Sequence, residues 1–511
     1  MKYFVKTIAA SVMALSVPTL TADANEQSIR EYTNKHQHHI MKDFRDLLSM
    51  PNVSSSVDDM MVNAAWITDY IHKRGFTSEI VTAGRAPYII AEKKVSGADK
   101  TVLIYAHFDG QPVEPANWAT APFTPTLLTA TIENGGQVVP WDQVEGDFNP
   151  EWRIAARSAG DDKAPVIALM HALDAMEQAG ISPSVNIKLI LDGEEEAGSP
   201  TLKQILADHR DKLEADLMLF CDGPMHQSRD RQLVFGVRGS MALDITTYGP
   251  LAPLHSGHYG NWAPNPTESL MKLLLSMKSE DGKITIDGYS DQVRPISNAE
   301  REALSNVPNV DTQMKHALAL AESVGKDIRL EESVLSPGFI IRGFQAGGVG
   351  KQGRNIIQPS ASASINMRLV ADQTPEFLVE KVEDHVRAQG YTIVHEEPNA
   401  DIRRNHAKLV KLDWRAGAYP AFRSRLDSPE AVKLISILDN MEGNKTILAP
   451  SLGGSLPIYL FEQALENMPI IILPVANHDN NQHGRNENLR IQNLWDAISV
   501  YAAILEQYGT D

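Results

Sequence analysis

The sequence predicts an α/β fold, in which a larger domain with a mainly parallel sheet is interrupted by a smaller α+β domain. Apolar strand-like runs alternate with helical stretches in the first part of the chain, the pattern of a mainly parallel sheet. Strands of alternating polarity replace them from about residue 237 to 397, as in a sheet with one wet face. Continuous apolar runs then return. At 511 residues the chain also exceeds what one hydrophobic core serves.

Residues 1–24 read as a leader. A short basic start with Lys2 and Lys6 precedes an apolar stretch over 7–20, and Ala22-Asp23-Ala24 supplies a small-x-small cleavage site. The mature chain is expected to begin near Asn25 and to be secreted, with a bacterial periplasm as its compartment. No other segment has the unbroken apolar length of a membrane span. Residues 27–73 are helical in pattern, with Met41, Phe44, Leu47 and Leu48 on one face and Met60, Ala64, Ile67 and Ile71 on another. Strands are predicted at 87–91 and 101–106, the second apolar throughout and so buried on both faces. A helix at 164–179, a strand at 185–191, a helix at 201–209 and a strand at 217–220 complete the first part of the larger domain, 25–236. The smaller domain, 237–397, holds alternating strands at 241–247 and 363–369. In the last part, 398–511, a helix at 429–440 and a strand at 469–474 precede a closing helix at 489–508. The Gly-, Pro-, Asn- and Asp-rich stretch 133–151 reads as an exposed loop insertion, a candidate rim over any site.

A formal net charge of -18 argues against nucleic acid, which needs a basic footprint. Cys221 is the only cysteine, so no intramolecular disulfide forms, and its place at an apolar strand end reads as a small buried residue.

Acids and histidines gather where the strands end. In α/β sheets ligands sit at the carboxyl ends of parallel strands, and His107, Glu194-Glu195-Glu196 and Asp222 all hold such places. A single acid there is commonly a turn or cap residue; three strand ends each offering a metal-type ligand are harder to explain so. His107 and Asp109 project to the same side of an extended segment, where a carboxylate can take the ring N–H of a liganding histidine; a histidine satisfied in the core is the other reading. Asp161-Asp162 either complements a helix dipole or offers a bridging carboxylate. The triple glutamate is either a solvated acidic turn or a charge concentration that calls for cations.

His107-x-Asp109, Ser158-Ala159-Gly160-Asp161-Asp162-Lys163, Glu195-Glu196-Ala197-Gly198-Ser199, Asp222, Leu254-His255-Ser256-Gly257, Gly453-Gly454-Ser455-x-Pro457 and His483-x-x-Asn486-Glu487 occur in one order along the chain. In that order they resemble the carnosinase/aminoacylase-like family of co-catalytic zinc peptidases, nearest its carnosinase-type dipeptidase branch, from about residue 40 to 505. The resemblance implies a phosphorylase/hydrolase-like catalytic domain and a ferredoxin-like lid that also mediates a homodimer. It implies that Asp161 bridges two divalent ions, zinc first with manganese or cobalt as alternatives. One ion would be completed by His107 and Asp222, the other by Glu196 and His483, with a cis peptide after Asp161. Glu195 would then be the general base, Asp109 would orient His107, and His255 would stabilise the oxyanion, reaching a neighbouring subunit's site. Asn355, Arg368 and Ser455 match positions that hold a substrate carboxylate or carbonyl. The implied substrates are dipeptides or short peptides with a free C-terminus. Where the family has glycines around the bridging aspartate, this chain has Ala156, Ser158 and Ala164.

Three rival readings remain at this stage. Gly453-Gly454-Ser455-Leu456-Pro457 begins like the nucleophile elbow of a serine hydrolase but ends in proline. A non-catalytic peptide-binding protein could share the fold, although Glu195 stands beside a full ligand set. An N-acyl amino acid deacylase or a carboxypeptidase would use the same chemistry.

Overall fold

The computed structural model describes residues 19–510 apart from Asp327 and Asn467. The expected leader lies outside the described residues, save for its end, which opens the helix Thr19–Leu48. That helix and Val57–His72 take up the two apolar faces read from the sequence, with Phe44, Leu47, Met60, Ala64 and Ile67 all buried. The helix Ala164–Ala179 packs between the first helix and the C-terminal helix Ile491–Gln507. Buried Lys163, just ahead of it, donates from Nζ to Leu47 O at 2.9 Å and Asn63 Oδ1 at 2.7 Å, tying the helix starts and ends together.

The main sheet has eight strands in the order Thr77–Val81, Tyr88–Lys93, Asn186–Asp192, Thr101–His107, Leu217–Phe220, Ile470–Ile472, Gln232–Val234, Ile447–Ala449. Its centre is parallel, from Asn186–Asp192 across to Ile470–Ile472. The first two strands and the Gln232–Val234 contact run antiparallel. Thr101–His107 is buried from Val102 to His107, as its unbroken apolar run requires.

The smaller sheet orders its strands Gly338–Gln345, Ser360–Leu369, Gly239–Tyr248, Leu409–Trp414, Thr392–Val394. Strict alternation of burial along Gly239–Tyr248 and Ser360–Leu369 turns one face onto the helices Pro266–Met277 and Pro375–Ala388, through residues such as Leu243, Ile365, Leu270 and Leu378. The domain ends later than the expected boundary at 397. Leu409–Trp414 pairs with Gly239–Tyr248, placing Val410 and Leu412 in this core rather than the larger one.

The stretch 133–151 is exposed over most of its length, as expected, but it is not free loop throughout. Val138–Val139 pairs with Thr126–Leu128 in a four-stranded sheet that includes Arg153–Ala155 and Asn488–Arg490. Phe148 is buried, its N–H donating to Gln37 Oε1 at 2.7 Å, and Arg45 lies over the Trp141 ring at 5.1 Å. Two aromatic side chains thus dock part of the insertion on the N-terminal helix, while Glu133 at its start accepts from Asn481 and Asn486 Nδ2 at 3.2 Å each, on the loop that carries His483.

Candidate metal centre

Five segments converge at one end of the main sheet. The strand Thr101–His107 delivers His107, the strand Asn186–Asp192 leads to Glu195 and Glu196, and Asp222 follows Leu217–Phe220. Asp161 precedes the helix Ala164–Ala179, and the Asp161–Asp162 peptide is cis. His483 comes from a loop near the C-terminus and adopts a positive φ of 60°.

Asp161 stands at the middle. Its Oδ1 lies 2.7 Å from His107 Nε2, and its Oδ2 lies 3.2 Å from His483 Nε2. His107 Nε2 is also 3.8 Å from Asp222 Oδ2, and His483 Nε2 is 3.2 Å from Glu196 Oε2. Ligand-type atoms form two groups, His107 with Asp162 and Asp222, and Asp161 with Glu196 and His483. Asp162 joins the first group through its proximity to His107, whose backbone N–H it accepts at 3.3 Å. All five residues that the resemblance implies as metal ligands therefore come together, with Asp161 between the halves.

Asp109 lies beneath them, fully buried. Its Oδ1 is 3.3 Å from His107 Nδ1, and its two oxygens accept the backbone N–H groups of Glu195 and Glu196 at 3.0 and 3.1 Å. Glu194 turns away from this centre and binds Tyr88, Arg85 and Thr201, a structural brace. Glu487 accepts from the backbone N–H groups of Gly160 and Asp161 at 3.1 and 3.0 Å while paired to Arg157 at 2.6 Å. Asp479, four residues before His483, forms a two-pronged pair with Arg153 at 2.9 and 2.8 Å.

The electrostatics fit divalent cations. Burial works to lower the pKa of His107, yet its hydrogen bonds to Asp109 and Asp161 lift it well above the ordinary imidazole value. Burial, with Asp161 alongside, pushes Asp222 up to about 6 and Glu196 up to about 8. Glu195 is pushed well above the ordinary carboxylate range by burial, and Asp222 and Glu196 add to it. Crowded buried acids of this kind are relieved by positive charge. Glu196 Oε1 is buried without a hydrogen-bond partner, a donor atom for an ion to take. Imidazole nitrogen and carboxylate oxygen together are the donor set of zinc and its first-row neighbours.

A cavity of about 510 Å³ opens beside the acids, lined by Asp161, Glu195, Asp222 and His483 and also by Arg368 and Ser455. Arg368 Nη1 donates to Ser455 Oγ at 2.8 Å, and Ser455 Oγ donates to Arg238 O at 2.6 Å, so a residue of the smaller domain meets a loop of the larger one. His255 and Asn355 sit together in the smaller domain, where Ser256 N–H donates to Asn355 O at 2.9 Å. Both are exposed and neither lines this cavity within one chain. Two neighbours escaped sequence reading. Gln111 Nε2 donates to Glu196 Oε2 at 2.8 Å, and Gln482 Nε2 reaches Asp161 Oδ2 at 3.3 Å. Adjacency to His107-x-Asp109 and to His483 was the available signal.

The chain belongs to peptidase family M20/M25/M40, whose model matches residues 103–507, and it is a metallopeptidase of that family. It is 25% identical over 430 residues to the Cys-Gly metallodipeptidase dug1 of Schizosaccharomyces pombe, covering 83% of each chain. It is 24% identical over 424 residues to the Beta-Ala-His dipeptidase of Mus musculus, covering 82% of this chain and 79% of that one. Among solved structures, the M20 family metallo-carboxypeptidase Sso-CP2 from Sulfolobus solfataricus superposes with a TM-score of 0.72 at 24% identity, covering 92% of this chain and 99% of that one. Human carnosine dipeptidase 1 gives 0.70 at 18%, covering 95% and 99%.

Proposed function

We propose that this chain hydrolyses the amide bond of dipeptides or short peptides with a free C-terminal carboxylate, using two divalent cations, zinc foremost. The observation that carries the reading is Asp161, whose two oxygens face His107 and His483 separately. His107, Asp222 and one Asp161 oxygen would hold one cation; Glu196, His483 and the other oxygen would hold the second. Bound there, the cations supply an acidified water and a polarised carbonyl. Glu195, which lines the cavity beside Asp161 and Asp222, would take a proton from the attacking water and pass it to the leaving amine. Arg368 holds the substrate's terminal carboxylate, a pairing its planar fork favours.

His255 and Asn355 complete the site from a second subunit in this reading. Their distance from their own chain's cavity supports it, as do Met271 and Leu275 on Pro266–Met277 and Ile340, Ile341 and Phe344 on the edge strand Gly338–Gln345, all exposed. Among the described residues no helix is long and apolar enough to cross a membrane. The leader pattern of residues 1–24 supports export to a periplasm in this reading; a chain recovered from the cytoplasmic fraction with those residues still in its intact mass would contradict it.

The test is a panel of dipeptides and N-acyl amino acids, assayed after chelation and after zinc or manganese is restored. Dipeptide cleavage should vanish on chelation and return with metal. Activity that survives thorough chelation would overturn the mechanism, and turnover confined to N-acyl amino acids would make the chain a deacylase.

A further inference from the structure

The sheet register places Tyr419 beside Arg368. Ser240 pairs with Arg368 on one side and forms an antiparallel bridge with Tyr419 on the other. Residues directly opposite each other in antiparallel strands project to the same face, and neighbouring strands lie about 5 Å apart. Arg368, Ser240 and Tyr419 therefore form a row in which the backbones of Arg368 and Tyr419 stand about 10 Å apart, with Ser240 between them. Gly239 allows this approach, since a Cβ there would lie 2.5 Å from Tyr419 O and 2.6 Å from Ala421 N. The Tyr419 ring is braced by Tyr459, stacked with centroids 5.4 Å apart and planes 6° from parallel.

Tyr419 lines the cavity that holds the acids and Arg368. Pro224, Leu452 and Leu456 line it as well. Among the described lining residues the ionisable side chains apart from Tyr419 are Asp161, Glu195, Asp222 and His483, which cluster together, and Arg368, which is held by Ser455.

We infer that Tyr419, with Leu452 and Leu456, forms a subsite for the side chain of the substrate's C-terminal residue, and that the preferred residue is aromatic or large and aliphatic. The inference rests on the peptidase reading above. With the terminal carboxylate on Arg368 and the scissile carbonyl at the acids, that side chain leaves the backbone between them and meets an uncharged wall. Burying apolar surface there favours bulky side chains. A charged side chain would be stripped of water with no partner on the wall. Glycine would leave the subsite empty.

The test compares kcat/KM for Ala-Phe, Ala-Leu, Ala-Gly and Ala-Asp with the zinc-restored full chain. Ala-Phe and Ala-Leu should exceed Ala-Gly by about tenfold or more, and Ala-Asp should fall below it. In Tyr419→Ala the Ala-Phe to Ala-Gly ratio should collapse towards one, through KM more than kcat, while Tyr419→Phe keeps it. Should Tyr419→Ala fail to fold, Leu456→Ala reads the same ratio from the other wall. Cleavage of Ala-Gly as well as Ala-Phe, or a ratio indifferent to Tyr419→Ala and Leu456→Ala, overturns the subsite and leaves the peptidase reading standing. Failure to cleave any of the four overturns both.

Discussion

At the scale of single residues, the centre divides its acids by surroundings rather than by type. Glu194, Glu195 and Glu196 are consecutive, yet one braces Tyr88 and Thr201, one faces the cavity, and one meets His483. If Glu195 only shuttles a proton, Glu195→Gln should lower kcat by about 10²–10⁴-fold while the metal content, measured by elemental mass spectrometry, stays unchanged. A fully active variant would place the base elsewhere. His107, Asp161, Asp222 and His483 were legible because each ends an apolar run or sits in a short motif. Tyr419 was not, because its importance comes from standing across two strand pairings from Arg368, and register between distant strands leaves no local trace in sequence.

At the scale of elements, a polar cluster is sealed between three helices. His171 on Ala164–Ala179 is fully buried, with Nδ1 3.2 Å from Tyr32 Oη, Nε2 3.1 Å from Tyr70 Oη and Nε2 3.3 Å from Asp43 Oδ2. Burial lowers its pKa, against the pull of Asp43 and Asp174. The folded state therefore binds fewer protons than the unfolded chain, whose histidine titrates near 6.5. The contribution is fully present above about pH 6.5 and declines as pH falls below it. Tm should drop between pH 7 and pH 5, and His171→Asn should flatten that part of the profile; an unchanged slope would remove His171 as its source. Element types were legible where periodicity was long, as in Ala164–Ala179 and Thr101–His107. Leu409–Trp414 was assigned to the wrong domain because its run names no partner, and Val138–Val139 is too short to show a period.

At the scale of the whole molecule, the interruption of one domain by another was visible as a change from continuous to alternating strands. The meeting of the two was not, since Arg368 and Ser455 are 87 positions apart and touch only in the fold. The proposed sharing of sites between two copies of the chain can be checked directly by subunit exchange. Glu195→Gln and His255→Ala should each be nearly inactive alone. Mixed and allowed to exchange subunits, they should recover activity, because one cavity of the mixed dimer then pairs an intact Glu195 with an intact His255. A mixture as inactive as its components would confine His255 to its own chain.

Asp109 gives the centre its tolerance to motion. One carboxylate receives the His107 ring on one side and the Glu195 and Glu196 backbones on the other. The gap between the His107 ring and the Glu195–Glu196 backbone is thus spanned by a single rigid planar group as well as by the pairing of the two strands. Thermal sliding of one strand along the other would have to stretch hydrogen bonds to Asp109 before it could change that gap. A side chain and not the ladder alone therefore sets how far His107 stands from the turn that carries Glu195 and Glu196.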